Sequence, residues 1–490
     1  MYSVTVPETV SATESPAVDL LAVELPAADP RTLNPEPLEL PPPDGALQAP
    51  NLRKFACGLV DQVLSVGGMF AMNIALARVR SKEEYGLFTL SYSLFTFLAG
   101  LHNAAVLEAY TIYGSGRYRG RFQKYERFVG MHNGWLLAGV SVTLVAIWES
   151  LRWLHPAFAS PALLGMALAC GILLSAAFRR RTFYIRRRPD LAARFSAVFF
   201  VSCMALLGLA VRAEMLNGLS AFLIAAAAWS LAFLVTPNPA CEDDGRQNEN
   251  EDDTRPVAPT PDFLIEEPDY WSEHWKYSRW VFVTALVFQF TTQAYFWVVA
   301  VCLSVRDVAG LRALYNLALP VDQIFAAISL VVLPQMAFHF ASGELGKLRR
   351  MWGQCSLMFL AIGLAFAVTV GLANVRLIHA AYGTRFDDVA PLLRWYVIVP
   401  VVMGAGNAAN AALKAVEKPQ AVFAAYVASG IATFAVGIPL VMYFGLRGAV
   451  DGMLVSAASY TGTLIFSFSR FMEPRACCAP AGSGAQPPKL

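Results

Sequence analysis

Apolar residues in this chain come in long runs, six before and six after one extended polar break. The first six cover about 55–77, 85–109, 128–148, 158–178, 191–211 and 216–235. The second six cover about 278–303, 311–340, 352–373, 389–414, 421–444 and 449–469. A helix needs roughly 20 residues to cross the hydrocarbon of a bilayer. The pattern therefore predicts an all-α polytopic membrane protein of about twelve transmembrane helices, and two equal sets of six predict pseudo-symmetric six-helix lobes around a central cleft.

The break at 237–277 begins with Cys-Glu-Asp-Asp-Gly-Arg-Gln-Asn-Glu-Asn-Glu-Asp-Asp, which holds too little apolar surface to offset the entropy of ordering and reads as disordered. Its end is aromatic. Tyr270, Trp271, Trp275, Tyr277 and Trp280 have the amphipathic rings that settle at the headgroup level. Residues 1–50 contain ten prolines and no apolar run long enough for a signal peptide, and read as a disordered acidic cytoplasmic tail. The predicted organisation is thus a tail (1–50), a lobe (51–236), an acidic linker with an interfacial aromatic end (237–277), a second lobe (278–470) and a short tail (471–490).

Composition agrees. With 56% hydrophobic and 15% charged residues, the chain is too apolar for a water-soluble enzyme. The net charge of +2 conceals a segregation: the first tail holds eight acidic residues against Arg31, and the linker twelve against three basic ones, so the rest is strongly basic. Those cations fall in alternate loops, around Arg117–Arg127, Arg179–Arg188, Lys347–Arg350 and Lys414–Lys418. Cytoplasmic loops are enriched in Lys and Arg, which places both termini and the linker inside. The turn carrying Arg78, Arg80 and Lys82 is the one local exception.

Cys57, Cys170, Cys203, Cys302 and Cys355 lie in apolar runs, and Cys241, Cys477 and Cys478 lie in segments read as cytoplasmic, so disulfides are not expected. No Cys/His group has metal spacing and no glycine-rich nucleotide loop is present. No metal, cofactor, catalytic residue or nucleic-acid partner is expected.

The halves also resemble each other at their first turn. VRSKEEYGLFTLSYSL (79–94) aligns with LSVRDVAGLRALYNLA (303–318), pairing Gly86 with Gly310 at an offset of 224. Polar side chains are costly at membrane depth and normally face a bundle interior or a wet cavity. The first span carries Asp61, Gln62, Ser65 and Asn73, and the seventh carries Gln289, Thr292 and Gln293 at helical spacing. Asn316 and Gln323 follow in the eighth, seven apart, with Asp322 beside them. These amides are candidate cleft-lining groups. Asp61 reads equally as a water-exposed carboxylate and as a cavity or ion-coupling group. Asn407 and Asn410, among small residues, read as helix-packing glue.

The run GLVDQVLSVGGMFAMNIALARVRSKEEYGLFTLSYSLFTFLAG, Gly58 to Gly100, resembles the opening hairpin of bacterial O-antigen and exopolysaccharide flippases, polysaccharide-biosynthesis members of the multidrug/oligosaccharidyl-lipid/polysaccharide exporter superfamily. The resemblance implies a multi-pass protein of the bacterial inner membrane that flips a polyprenyl-pyrophosphate-linked oligosaccharide, with membrane lipids and a polysaccharide polymerase or glycosyltransferases as partners. The alternatives are a cation-coupled multidrug exporter of the same superfamily, for which Asp61 would be the coupling group, a membrane glycosyltransferase or polymerase, and a scaffold. Glu83-Glu84 in the first outer loop resembles the acidic site of a glycosyltransferase, but its loop is too short to form a pocket. A flippase must meet pyrophosphate at its mouth. Arg53 and Lys54 begin span one, Lys276 and Arg279 begin span seven, and the offset of 224 nearly superimposes them. They read either as a capture site or as positive anchors at helix ends.

The orientation is testable by single cysteines in a cysteine-free variant. An impermeant thiol reagent added to intact cells should label Arg447→Cys and spare Asp243→Cys; the opposite pattern would invert the topology.

Overall fold

The computed structural model describes residues 52–237 and 270–472, apart from 117, 119, 120, 155, 157 and 158 in two turns. The N-terminal tail, the acidic front of the linker and the C-terminal tail lie outside the described residues, as do Cys241, Cys477, Cys478 and the Lys54 side chain.

The described residues are helical throughout, without strands. The first lobe contains α1 (Leu52–Val79), α2 (Lys82–Ser115), α3 (Phe122–Leu154), α4 (Pro161–Ile185), α5 (Pro189–Arg212) and α6 (Gly218–Val235). The second contains α7 (Tyr270–Cys302), α8 (Val305–Ala341), α9 (Leu345–Leu372), α10 (Thr384–Ala415), α11 (419–444) and α12 (446–472). Ten helical segments are long and apolar enough to cross a membrane. One of them, Pro419–Met472, is 54 residues long, about 80 Å at 1.5 Å per residue and more than twice the hydrocarbon thickness. Gly445 breaks it, with φ 60° and ψ −140°. Around that glycine the chain folds back: Thr433 Oγ1 meets Ser456 Oγ at 2.9 Å, and the Tyr426 and Tyr460 rings stack at 5.1 Å. With this division and with α8, which is 37 residues long, the crossings number twelve.

Both ends of the described body, 52 and 472, lie on one side, here termed the near end. At the far end, side-chain caps start the helices. Ser81, Ser160, Asn217 and Ser304 each accept from the backbone N–H three residues on, satisfying donors that have no intrahelical partner. At the near end proline does so for α5 and α11, following Arg188 and Lys418. The near-end turn between α8 and α9 bends at Gly343, φ 70°. There Glu344 accepts from Lys347 Nζ at 2.5 Å and from His339 Nδ1 at 2.9 Å, and these hydrogen bonds hold its carboxyl below the usual range.

In the first lobe α1 packs on α5, α4 on α6 and α5 on α6, with Phe199 stacked on Trp229 at 3.9 Å. In the second, α9 packs on α10, and α12 on both α10 and α11, with Phe325 edge-on to Phe359 at 5.3 Å. Helix α2 belongs to the first lobe yet runs along α7 and α8, forming the seam.

The seam is closed at the far end by cations of the α1–α2 turn. Arg78 donates to the carbonyls of Ala380 and Ala381, and Lys82 Nζ sits 2.6 Å from Asp388. Glu83 pairs with Arg306, and Arg385 Nη1 donates to the Arg80 carbonyl at 2.5 Å. A two-turn helix, Asn374–Tyr382, carries the receiving carbonyls; no apolar run announced it. At the near end the α1 side differs. Among the described residues no hydrogen bond or ion pair joins 52–68 to the second lobe; the near-end contacts between lobes run instead from α7 to α2 and α3, through His274 to Tyr125 and Tyr277 to Glu108.

Gly86 and Gly310 are both positions of close approach. A Cβ on Gly86 would overlap the Val305 carbonyl at the head of α8, and one on Gly310 would lie 3.0 Å from Val389. Gly86→Ala should cost about 1–3 kcal/mol through overpacking, read as a lower midpoint in thermal unfolding of the detergent-purified protein. An unchanged midpoint would show that the seam yields.

Candidate functional site

Four helices meet in the far half of the seam: α1 and α2 of one lobe, α7 and α8 of the other. Residues 312, 315, 316, 322 and 323 share a face of α8, because positions three, four and seven apart lie one above another. Arg312 is at the centre. Only 4% exposed, it lies over the rings of Tyr92 at 4.7 Å, Tyr315 at 5.1 Å and Phe296 at 5.7 Å, and its Nε is 3.4 Å from Asn73 Oδ1. A guanidinium withdrawn from water is costly unless compensated. Here aromatic faces and one amide compensate it. Among the described residues no carboxylate lies within ion-pair distance.

Next to it, Asn316 is wholly buried and donates through Nδ2 to Tyr85 Oη at 2.9 Å, while its Oδ1 has no partner. Gln293 is 7% exposed and its Oε1 is likewise unpartnered. Orphaned buried acceptors are rare and mark places where a water or a ligand donor belongs.

Of the predicted residues, Asn73 and Asn316 therefore come together around Arg312. Gln62 lies elsewhere, its Oε1 3.4 Å from Arg180. Gln289 packs over Gly100 of α2, and Gln323 is half-buried on the α8 face. The shared face expected for Gln289, Thr292 and Gln293 divides, with Thr292 exposed and Gln293 buried. Arg53, Lys276 and Arg279 are exposed; Arg279 rests 5.7 Å from the Trp280 ring centroid and makes no ion pair among the described residues.

Asp61 is not water-exposed: its exposure is 0%. Its Oδ1 accepts from Arg180 Nε at 3.0 Å and Ser196 Oγ at 2.5 Å, and its Oδ2 from Arg180 Nη2 at 2.7 Å and Tyr184 Oη at 2.6 Å. Four donors engage both oxygens and tie α1 to α4 and α5. Neighbouring polar contacts continue toward the near end. Arg181 donates to Asn103 Oδ1 at 3.0 Å, within a π-turn of α2 (Asn103–Leu107), and Tyr277 donates to Glu108 Oε1 at 3.2 Å. Such turns re-aim side chains and often accompany functional sites.

Arg312 escaped the sequence reading because span eight was placed at 311, one residue before it, whereas α8 starts at Val305 and carries Arg312 two turns inward. The signal was Ser304 followed three residues on by Asp307, a helix start.

No family model and no curated protein matches the sequence. The fold is nevertheless similar to that of several solved membrane-transporter structures. A multidrug resistance MATE family transporter in an inward-facing conformation superposes with a TM-score of 0.68 at 12% identity, covering 84% of this chain and 94% of that one. A MOP-superfamily transporter from Pyrococcus furiosus, described as having a binding pocket of reverse polarity, gives 0.63 at 11%, covering 86% and 95%. The lipid II flippase MurJ, in an inward closed conformation, gives 0.61 at 13%, covering 84% and 87%. At these identities the likeness establishes the fold.

Asp61→Ala should destabilise the protein by about 1–3 kcal/mol, because it leaves the half-buried Arg180, Tyr184 and Ser196 without their shared acceptor. Replacing both partners by apolar residues (Asp61→Leu with Arg180→Met) should recover most of that loss in thermal unfolding. Transport by the double variant would assign the pair to structure; stable but inactive protein would return Asp61 to ion coupling.

Proposed function

We propose that this protein is a flippase for an anionic, lipid-linked oligosaccharide of the polyprenyl-pyrophosphate type, acting in cell-surface polysaccharide synthesis at a bacterial inner membrane. The observation that carries the reading is Arg312, a cation at the meeting of the lobes with aromatic faces around it and, among the described residues, no carboxylate within ion-pair distance. A site built around an unpaired guanidinium attracts phosphate and repels cationic drugs. The far end is latched, which favours entry of substrate from the side holding the termini. There Arg53 and Lys54 on one lobe and Lys276 and Arg279 on the other meet the pyrophosphate first. The headgroup then passes toward Asn73, Gln293, Arg312 and Asn316, and release of the latch admits it to the opposite leaflet. Asp61 serves as a lock within the first lobe, its lone pairs being engaged. A polymerase or glycosyltransferases on the same pathway would supply or consume the carrier.

The test is accumulation. In a strain lacking the chromosomal gene, lipid-linked repeat units should build up in the inner leaflet, and the wild-type chain should clear them. Arg312→Gln at normal protein level should reduce export by at least about tenfold, the worth of one charged hydrogen bond. Undiminished export by Arg312→Gln, or loss of drug efflux without lipid accumulation, would replace this reading with a multidrug exporter.

A further inference from the structure

Away from the seam, the first lobe has a groove of about 600 Å³ between α3, α4 and α6. Its floor is small: Gly134 and Ala138 from α3, Gly171 and Ser175 from α4, Ser230 from α6. It opens sideways, since Leu234 on its rim is 83% exposed and Leu168 50%. One turn beyond Ser175, at the near end, stands Arg179. Its guanidinium lies 5.8 Å from the ring centroid of Phe233, itself a wall of the groove, and Nη2 donates to the Pro237 carbonyl at 3.2 Å just past α6. Its Nε is buried and has no partner.

The neighbouring arginines are committed elsewhere, Arg180 to Asp61 and Arg181 to Asn103. Arg179 has no ion pair among the described residues. We infer that the groove with Arg179 is a binding site for one anionic phospholipid, the phosphate on the free guanidinium edge and one acyl chain along the floor.

The dimensions support this occupant. From Leu168 to Arg179 is about 16 Å along α4, half of a roughly 30 Å hydrocarbon core and hence one leaflet deep. A chain anchored at the near-end headgroup level would end where the groove ends. Basic pockets between transmembrane helices on the side of the basic loops are suited to anionic headgroups. Ser175 in the floor costs little, because it already donates to the Gly171 carbonyl at 2.7 Å.

Native mass spectrometry of the full-length chain, released from micelles holding equal phosphatidylglycerol and phosphatidylcholine, tests the inference. The wild type should retain one phosphatidylglycerol with roughly fivefold preference, the contribution of one basic group near the surface. Arg179→Gln should abolish the preference and Arg179→Lys restore part of it. Gly134→Leu should reduce retention of both lipids; a side chain there meets nothing within 4 Å, so it fills the groove without disturbing the helices. Made together, Gly134→Leu and Arg179→Gln should cost no more than the larger effect, since one molecule uses both features. A monodisperse Arg179→Gln protein with unchanged preference, or equal retention of the two lipids by the wild type, would overturn the site. So would additive losses in the double variant, or displacement of phosphatidylglycerol by undecaprenyl phosphate.

Discussion

The Asp61 carboxylate has no contact with solvent and is held by Arg180, Tyr184 and Ser196. A charge moved out of water must be met by other groups, at a cost of several kcal/mol when it is not, and the first lobe is arranged around this demand. Helix α1 cannot rotate without exposing the carboxylate to hydrocarbon, and α4 and α5 are bound to it through the same atoms. The second lobe contains no equivalent pair; at the offset of 224, position 285 is Ala285. Its cation instead projects into the seam as Arg312. One lobe is closed upon its own charge and the other presents its charge to the interface, so pseudo-symmetric folding gives a chemically asymmetric cleft.

Three consecutive arginines on α4 show how helical geometry distributes one charge run. Residues turn by about 100° each, so Arg180 reaches α1, Arg181 reaches the π-turn of α2, and Arg179 faces α6 and the lipid side. The loop charge that sets orientation thus also includes an internal lock, a vestibule contact and a lateral site.

The number and order of the spans were legible from hydropathy alone, because each crossing must be apolar for about the same length whatever it packs against. Helix starts were not. The described α7 begins at Tyr270, eight residues before the expected boundary, and α8 six residues before, since polar first turns lie outside the apolar run but inside the helix. The break between α11 and α12 was placed correctly near 445 although the backbone joins them through a single glycine. Asn73 and Asn316 were found as polar residues at depth, but their grouping around Arg312 depends on pairing between residues 239 apart, about which local pattern carries no information. Asp61 was visible as an anomaly; its partner, 119 residues away, was hidden within an arginine run that reads as ordinary loop charge.

The latch at the α1–α2 turn bears on how the chain is made. Arg78 and Lys82 find their partners at Ala380, Ala381 and Asp388, more than 300 residues later. Through the synthesis of the whole first lobe these cations lack those partners. Arrival of the Asn374–Tyr382 helix and of α10 supplies them, carbonyl acceptors for Arg78 and the Asp388 carboxylate for Lys82. The first hairpin therefore remains provisional during biogenesis, and completion of the second lobe is the event that fixes it in the membrane.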